Sequence, residues 1–253
     1  MIPSGITLGV EGILQRIVYP ARVRAQEDDL TSSEIDAWVE ASEQEYLGAL
    51  DRKLVERAKG LGVSHGMMLD LGSPLGLIPM KILWEEDELL CIGVYRSLQM
   101  AERARRTAED WNLGDRMFFQ VGEPRQMRFK AGYFDMVISD GSLHYFKDPS
   151  EILREIRRVT KPSGAILLRE FRRPSRFKLS SHIEQHGHRY SPELRNWFEA
   201  GVRAGFTRVE LLEFARRAEM GRTHVHAENT HLILERSGAN DPSSWVTERG
   251  KYF

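Results

Sequence analysis

Apolar and polar positions follow two rhythms along this chain, and the switches between them mark its elements. Between Thr31 and Gly62 the residues Ile35, Trp38, Val39, Tyr46, Leu50, Leu54 and Ala58 recur near helical spacing, with Ser32 or Ser33 placed to cap the first turn. The pattern predicts two helices, broken near Ala41 to Gln44. From Gly66 onward, short aliphatic runs alternate with amphipathic ones. "GMMLDLG", "ELLCIGVY", "RMFFQVG", "YFDMVISD" and "AILLREF" read as strands, rich in aliphatics as strands covered on both faces are. Between them lie three helices. "LIPMKILWEED" tolerates Pro79 in its first turn, and "SLQMAERARRTAEDWN" has Ser97 as cap and Met100, Ala101, Ala104, Ala108 and Trp111 on one face. In "DPSEILREIRRVTKPSG", Asp148 caps, Pro149 suits the first turn, and Ile152, Leu153, Ile156 and Val159 face inward before Pro162 and Gly164.

Alternation of this kind builds a parallel sheet with helices on both faces, because parallel strands need right-handed crossovers. Ligands of such sheets bind beyond the carboxyl ends of the strands. The last third reads as a loop-rich stretch "RRPSRFKLSSHIEQHGHRY", a helix "SPELRNWFEAGVRAG", a strand "FTRVELLEF", a polar connection and a final strand "THLILERS". The resulting organisation is an N-terminal helical cap over residues 1–60, an α/β domain over 61–236 with a variable lid at 171–192, and a C-terminal tail over 237–253. Trp245, Tyr252 and Phe253 are available to pin the tail to the body. No internal repeat is visible.

Composition narrows the class of partner. A chain of 253 residues buries one large core, and a formal net charge of -1 gives no global pull towards nucleic acid or an anionic membrane. The N-terminus lacks a basic stretch before its apolar residues, and no run approaches the ~20 apolar residues of a membrane span. The single Cys91 sits in the apolar run "LLCIGV" and forms no internal disulfide, which suits a reducing, cytoplasmic setting. Residues 25–51 carry acids without Lys or Arg and read as a solvated helical face. With a basic stretch elsewhere, they permit a homo-oligomer.

The chemistry begins at "MLDLGSPLG", a strand running into a glycine turn. Dinucleotide folds carry G-x-G-x-x-G there, whereas this chain has D-x-G-x-x-x-G. Asp70, two residues before Gly72, places a carboxylate near a cationic or amine-bearing ligand rather than a pyrophosphate.

With "CIGVYRSLQMAERAR", "FFQVGEPRQMRF" and "FDMVISDGSLHYFKDPSEILREIRRVTKPSGAILL", that turn resembles the class I S-adenosylmethionine-dependent methyltransferases, in the small-molecule branch of the ubiquinone and menaquinone C-methyltransferases. The ordered blocks run from Gly66 to Arg169. The resemblance implies a Rossmann-like, doubly wound seven-stranded α/β sheet ending in an antiparallel hairpin, which "FTRVELLEF" and "THLILERS" would supply. It implies S-adenosylmethionine as cofactor, with Asp70, Gly72, Ser73 and Gly76 at its methionine end, Tyr95 and Arg96 at the ribose, Glu123 and Pro124 at the adenine, and Ser139 at the end of the fourth strand. Two positions depart from the family pattern. Pro74 stands at the usual second glycine and has no N–H to donate. Tyr95 stands where the family places Asp or Glu, and a phenol cannot clamp a ribose diol as a carboxylate does. These motivate a second reading, a methyltransferase-fold protein that has lost methyl transfer and serves as a binding or partner subunit, or one that uses an altered cofactor.

Asp140 and His144 in "SDGSLHYF" are the candidate catalytic groups, a His near neutral pKa being a natural proton acceptor. Tyr145, His182, His186 and Tyr190 are expected to line the acceptor pocket, with Arg172, beside Arg173 and Arg176, offering charge to a carboxylate or phosphate. The substrate is then a small molecule, an anionic one being allowed. The clusters His182, His186, His188 and His224, His226, His231 lack matching acids or cysteines, so no metal is expected.

Overall fold

The computed structural model describes residue 15 and residues 17–25 and 31–238. The expected roles of Trp245, Tyr252 and Phe253 lie outside the described residues.

Two helices come first, α1 (Ser32–Glu43) and α2 (Glu45–Gly60), broken at the extended Gln44. The cap of α1 is Thr31, which forms a reciprocal capping box with Glu34, in place of the expected Ser32 or Ser33. Strands and helices then alternate: β1 (His65–Leu71), a 3₁₀ turn (Pro74–Gly76), α3 (Leu77–Glu85), β2 (Glu88–Tyr95), α4 (Leu98–Asp110), β3 (Met117–Val121), β4 (Phe134–Asp140), a second 3₁₀ turn (Leu143–Tyr145), α5 (Pro149–Val159) and β5 (Thr160–Phe171). Ser97 and Asp148 cap α4 and α5 through their side chains, as their positions predict. The chain closes with α6 (Leu179–Gly187), α7 (Pro192–Ala204), α8 (Arg208–Arg217), β6 (His224–Ala227) and β7 (His231–Arg236).

One sheet of seven strands runs β3-β2-β1-β4-β5-β7-β6. The first five strands are parallel neighbours, while β7 runs antiparallel to both β5 and β6. Helices cover both faces. Leu69, Val137, Ile166 and Leu168 pack with Ile152 and Ile156 of α5 and Leu211 of α8 on one side. Met68, Met136, Ile138 and Leu167 pack with Leu54 and Val55 of α2 and Ile82 and Leu83 of α3 on the other. This is the doubly wound sheet with a terminal antiparallel hairpin, and its order reverses between β1 and β4.

The hairpin uses different residues from those expected. "FTRVELLEF" forms the end of a loop and α8, and β6 comes from "HVHA" in the segment read as a polar connection. A local signal decides it: Thr207 and Glu210 make a capping box, with Thr207 N–H donating to Glu210 at 2.8 Å. The helix then buries Leu211 and Ala215 and leaves Val209 51% exposed, where a strand would bury Val209 and Leu211 on one face. The stretch expected to be a loop-rich lid is likewise less irregular than its composition suggests, since residues 179–187 are helical.

Candidate active site

The glycine turn sits at the point where strand order reverses, with Ile35 of α1 packed on its Leu75 and the first turns of α2 bonded to Arg169 near the end of β5. Gly72 and Gly76 adopt φ of +63° and +67°, and between them Leu75 is held at +54°, a left-handed conformation that branched-chain residues rarely adopt. Leu75 is fully buried beside Ile35 of α1, which overrides its backbone preference. Pro74 opens the 3₁₀ turn, and Gly76 N–H donates to Ser73 O at 3.0 Å.

Asp70, at the end of β1, is completely buried. Its Oδ1 accepts from the Ser73 hydroxyl and its Oδ2 from the Tyr95 hydroxyl at 3.2 Å. Burial pushes the Asp70 carboxyl up to about 7, against hydrogen bonds from the Ser73 hydroxyl, the Tyr95 hydroxyl and the Ser73 backbone that favour its charge, and with a further push from Asp140. Tyr95 thus points inward. Its ring lies over Gly93, the residue opposite Asp70 in the β1–β2 register, where a Cβ would stand 2.8 Å from the Tyr95 ring. Its hydroxyl takes the space that a Cβ on Gly76 would need, at 2.9 Å. The ribose edge of the expected cofactor site therefore carries neither a carboxylate nor an outward phenol.

Arg96, Glu123 and Pro124 lie nearby at the ends of β2 and β3. The Arg96 guanidinium stands 5.2 Å over the Phe146 ring, and that of Arg125 stands 5.9 Å from the same ring. Glu123 accepts from Arg125 at 3.0 and 3.2 Å, and the bond to Arg125 holds its carboxyl below the usual range. Ser139 ties two strand ends together, donating to Leu71 O at 3.0 Å.

Past β4 the structure joins residues that the sequence keeps apart. Asp140 accepts two hydrogen bonds from Arg169, both at 2.7 Å, and Arg169 also donates to Asp51 of α2 at 2.9 Å and to Leu50 O at 3.0 Å. Lys81 closes the network on the other oxygen of Asp51 at 2.7 Å. Burial works against the Arg169 charge, but Asp140 and Asp51 outweigh it and hold the guanidinium protonated well above its ordinary value. Asp140 thus has both oxygens engaged by a guanidinium, a geometry that positions rather than accepts a proton.

His144 is fully buried. Its Nδ1 lies 3.1 Å from Glu170 Oε2, while Glu170 Oε1 accepts from Leu143 N–H at 2.7 Å. A carboxylate only accepts, so Nδ1 carries the proton and Nε2 presents a lone pair that finds no partner among the described residues. Gly141 lies against the ring edge, at 3.6 Å from a Cβ position to His144 Cε1.

A cavity of about 40 Å³ opens beside this network, walled by Trp38, Leu50, Asp51, Asp140, Arg169, Phe171, Tyr190, Trp197 and His231 among others. Tyr190 reaches it, stacked on Phe198 at 4.4 Å, and Tyr145 supports it by accepting from Trp197 Nε1 at 3.1 Å. His182 and His186 pair along α6 with centroids 4.5 Å apart, outside the cavity lining. Burial, then His186 and Arg172, pushes His182 down to about 4. The arginines expected to greet an anion turn to the protein instead. Arg172 donates to Glu228 O at 2.9 Å, Arg173 is buried on Gly205 O and Glu210, and Arg176 Nη2 donates to Tyr19 O at 3.4 Å. No group of three or more His, Cys, Asp or Glu able to hold a metal ion occurs among the described residues.

Arg169, Asp51, Glu170, Trp38 and Trp197 are absent from the sequence-based site. Arg169 and Glu170 carry a signal all the same: two consecutive charges in the continuously buried part of β5, residues 164–171, need polar partners. The other three have no local signal.

No helix among the described residues is long and apolar enough to cross a membrane. A family model described as a methyltransferase domain matches residues 69–168. The 27-O-demethylrifamycin SV methyltransferase of Amycolatopsis mediterranei is 27% identical over 104 residues, covering 41% of this chain and 38% of that protein. The chain spans less than two fifths of the length of the curated relatives it matches. Among solved structures, a SAM-dependent methyltransferase from Aquifex aeolicus superposes with a TM-score of 0.58 at 14% identity, covering 82% of this chain and 98% of that one. Phosphoethanolamine N-methyltransferase 2 of Haemonchus contortus, solved with S-adenosyl-L-methionine, gives 0.59 at 19% identity, covering 78% of this chain and 43% of that one. Strand order and glycine turn agree with the family match in likening residues 69–168 to a methyltransferase domain.

Proposed function

We propose that the protein is an S-adenosylmethionine-dependent methyltransferase acting on a small molecule. The observation that carries this reading is the buried Asp70 at the reversal point of the sheet, directly before a turn whose Gly72 and Gly76 are both left-handed. The residues present suit the methionine end of the cofactor. Asp70 accepts from the Ser73 hydroxyl, the Ser73 backbone N–H and the Tyr95 hydroxyl, which leaves one of the four lone-pair sites of its carboxylate for an ammonium group, and a Cβ on Gly72 would meet only Ser142, at an ordinary contact distance of 3.9 Å. They suit the ribose less, because Tyr95 is turned to Asp70.

Asp70, Gly72, Ser73 and Gly76 would hold the methionine part, Tyr95 and Arg96 would border the ribose, Glu123 and Pro124 the adenine, and Ser139 would hold the end of β4 against β1. When bound, the cofactor supplies an electrophilic methyl group on a sulfonium sulfur. The protein's share is alignment and exclusion of water, which dominate an in-line displacement. Arg169 fixes Asp140 and ties α2 over the site. His144, oriented by Glu170, is the candidate proton acceptor for a substrate that must lose a proton.

Calorimetry with S-adenosylmethionine and S-adenosylhomocysteine tests the reading. Saturable binding of either below about 1 mM, near 4 kcal/mol of binding free energy, is the expected result. No heat from either ligand at that concentration overturns it.

A further inference from the structure

The cavity beside Arg169 has a composition that selects its occupant. Four aromatic side chains, Trp38, Phe171, Tyr190 and Trp197, contribute to its wall. Trp197 is their hub, with ring centroids 4.5 Å from Trp38, 5.0 Å from Phe171 and 6.5 Å from Tyr190. The polar part of the wall is Asp51, Asp140, Arg169 and His231.

Hydrogen-bond capacity decides what these groups can do for a ligand. Four of the five Arg169 N–H groups are already used on Asp140, Asp51 and Leu50 O, so the wall keeps little to offer an anion. The carboxylates differ. Each of the four oxygens of Asp51 and Asp140 accepts one hydrogen bond, from Arg169 or Lys81, and a carboxylate oxygen has room for two. His231 adds no positive charge, since burial and then Arg169 push it well below its ordinary value. Free lone pairs together with aromatic faces favour a donor that carries positive charge.

A volume of about 40 Å³ exceeds the ~10–15 Å³ that one ordered water needs, so the cavity has room for a small head group.

We infer that this cavity is a recognition site for an ammonium head group, held by the aromatic faces and by the free lone pairs of Asp51 and Asp140. Within the proposed methyltransferase reading, the acceptor is then an amine-bearing small molecule rather than an anionic one.

The test uses simple ions and needs no knowledge of the full substrate. Methylammonium, dimethylammonium and trimethylammonium chlorides are titrated into the full-length protein at constant ionic strength, and the indole N–H resonances of Trp38 and Trp197 are followed by NMR. Sodium acetate and phenol serve as anionic and neutral comparators. Saturable shifts of both resonances with at least one ammonium ion, and smaller shifts with acetate and phenol, are expected. No saturable shift up to about 100 mM, an affinity near 1.4 kcal/mol, overturns the inference, as does an equal or larger response to either comparator. Two variants make the assignment specific. Trp38→Leu removes one aromatic face without touching the charge network, and Asp140→Asn removes one carboxylate. Each should weaken ammonium binding by about fivefold or more, the scale of one cation–π contact. Unchanged affinity in Trp38→Leu, with its thermal transition intact, also overturns the inference. Cofactor calorimetry on the same sample separates the two claims. Cofactor binding without an ammonium response sinks the pocket and leaves the methyltransferase reading standing, and the opposite result does the reverse.

Discussion

Asp70 is a completely buried carboxylate at the end of β1. Its place in an apolar strand announces that it needs a polar partner, since a bare carboxylate cannot be buried cheaply. That one partner is Tyr95 could not be read, because the contact depends on Gly93 across the strand pair leaving room for the ring. The same geometry makes a pH prediction. An acid whose folded pKa stands above its unfolded value holds its proton more tightly when folded. Its stabilising contribution is therefore present below about pH 4 and is lost as pH rises through about 7. From 3.8 to about 7 the interval corresponds to roughly 4 kcal/mol. Asp70→Asn removes the titration while keeping the shape. The stability of Asp70→Asn relative to the parent protein, from urea unfolding at several pH values, should climb between pH 4 and pH 7 and level off above. Taking the difference cancels groups of opposite sense, such as Asp135 and Asp148, whose pKa values are lowered. A flat difference would show that Asp70 does not carry the raised pKa.

At the scale of elements, the parallel strands and their helices were legible because their periodicities are long and their caps are chemical. α8 was misread because "FTRVELLEF" satisfies both rhythms over so few residues, and only the Thr207–Glu210 box distinguishes them. The expected lid was misread for a related reason, as polar side chains on one short helix resemble a loop. α7 shows how packing overrides propensity. Gly201 sits inside this helix, where alanine is ordinarily better by about 1 kcal/mol. Yet a Cβ there would lie 2.2 Å from Phe171 Cε2, a ring in the cavity wall. Overpacking costs ~1–3 kcal/mol, so Gly201→Ala should lower stability despite its propensity gain. The midpoint of urea unfolding measures the net sign, and a more stable variant would mean that the Phe171 ring yields without cost.

At the scale of the molecule, the doubly wound sheet was readable and the seating of the N-terminal helices was not. Arg169 and Asp51 are 118 residues apart, and no local pattern relates them. Their bridge ties α2 to the end of β5 while Arg169 holds Asp140 at the end of β4, so one guanidinium joins the cap to two strands of the domain. Such a buried network is costly to break from one side and cheap to remove whole. Arg169→Leu leaves Asp140 and Asp51 without their guanidinium and should cost about 3–5 kcal/mol. Adding Asp140→Leu removes one of the two stranded carboxylates and should recover part of that loss, although an ion pair has been deleted. Urea unfolding of the parent, both single variants and the double variant closes the cycle, and the coupling is the quantity to read. A double variant as unstable as the sum of the singles would mean that Arg169 and Asp140 act independently. In that case the Arg169–Asp140 pair would add nothing of its own between the two strands, and α2 would still be held to β5 by the Arg169–Asp51 bridge and to the sheet by Leu54, Val55 and Ala58.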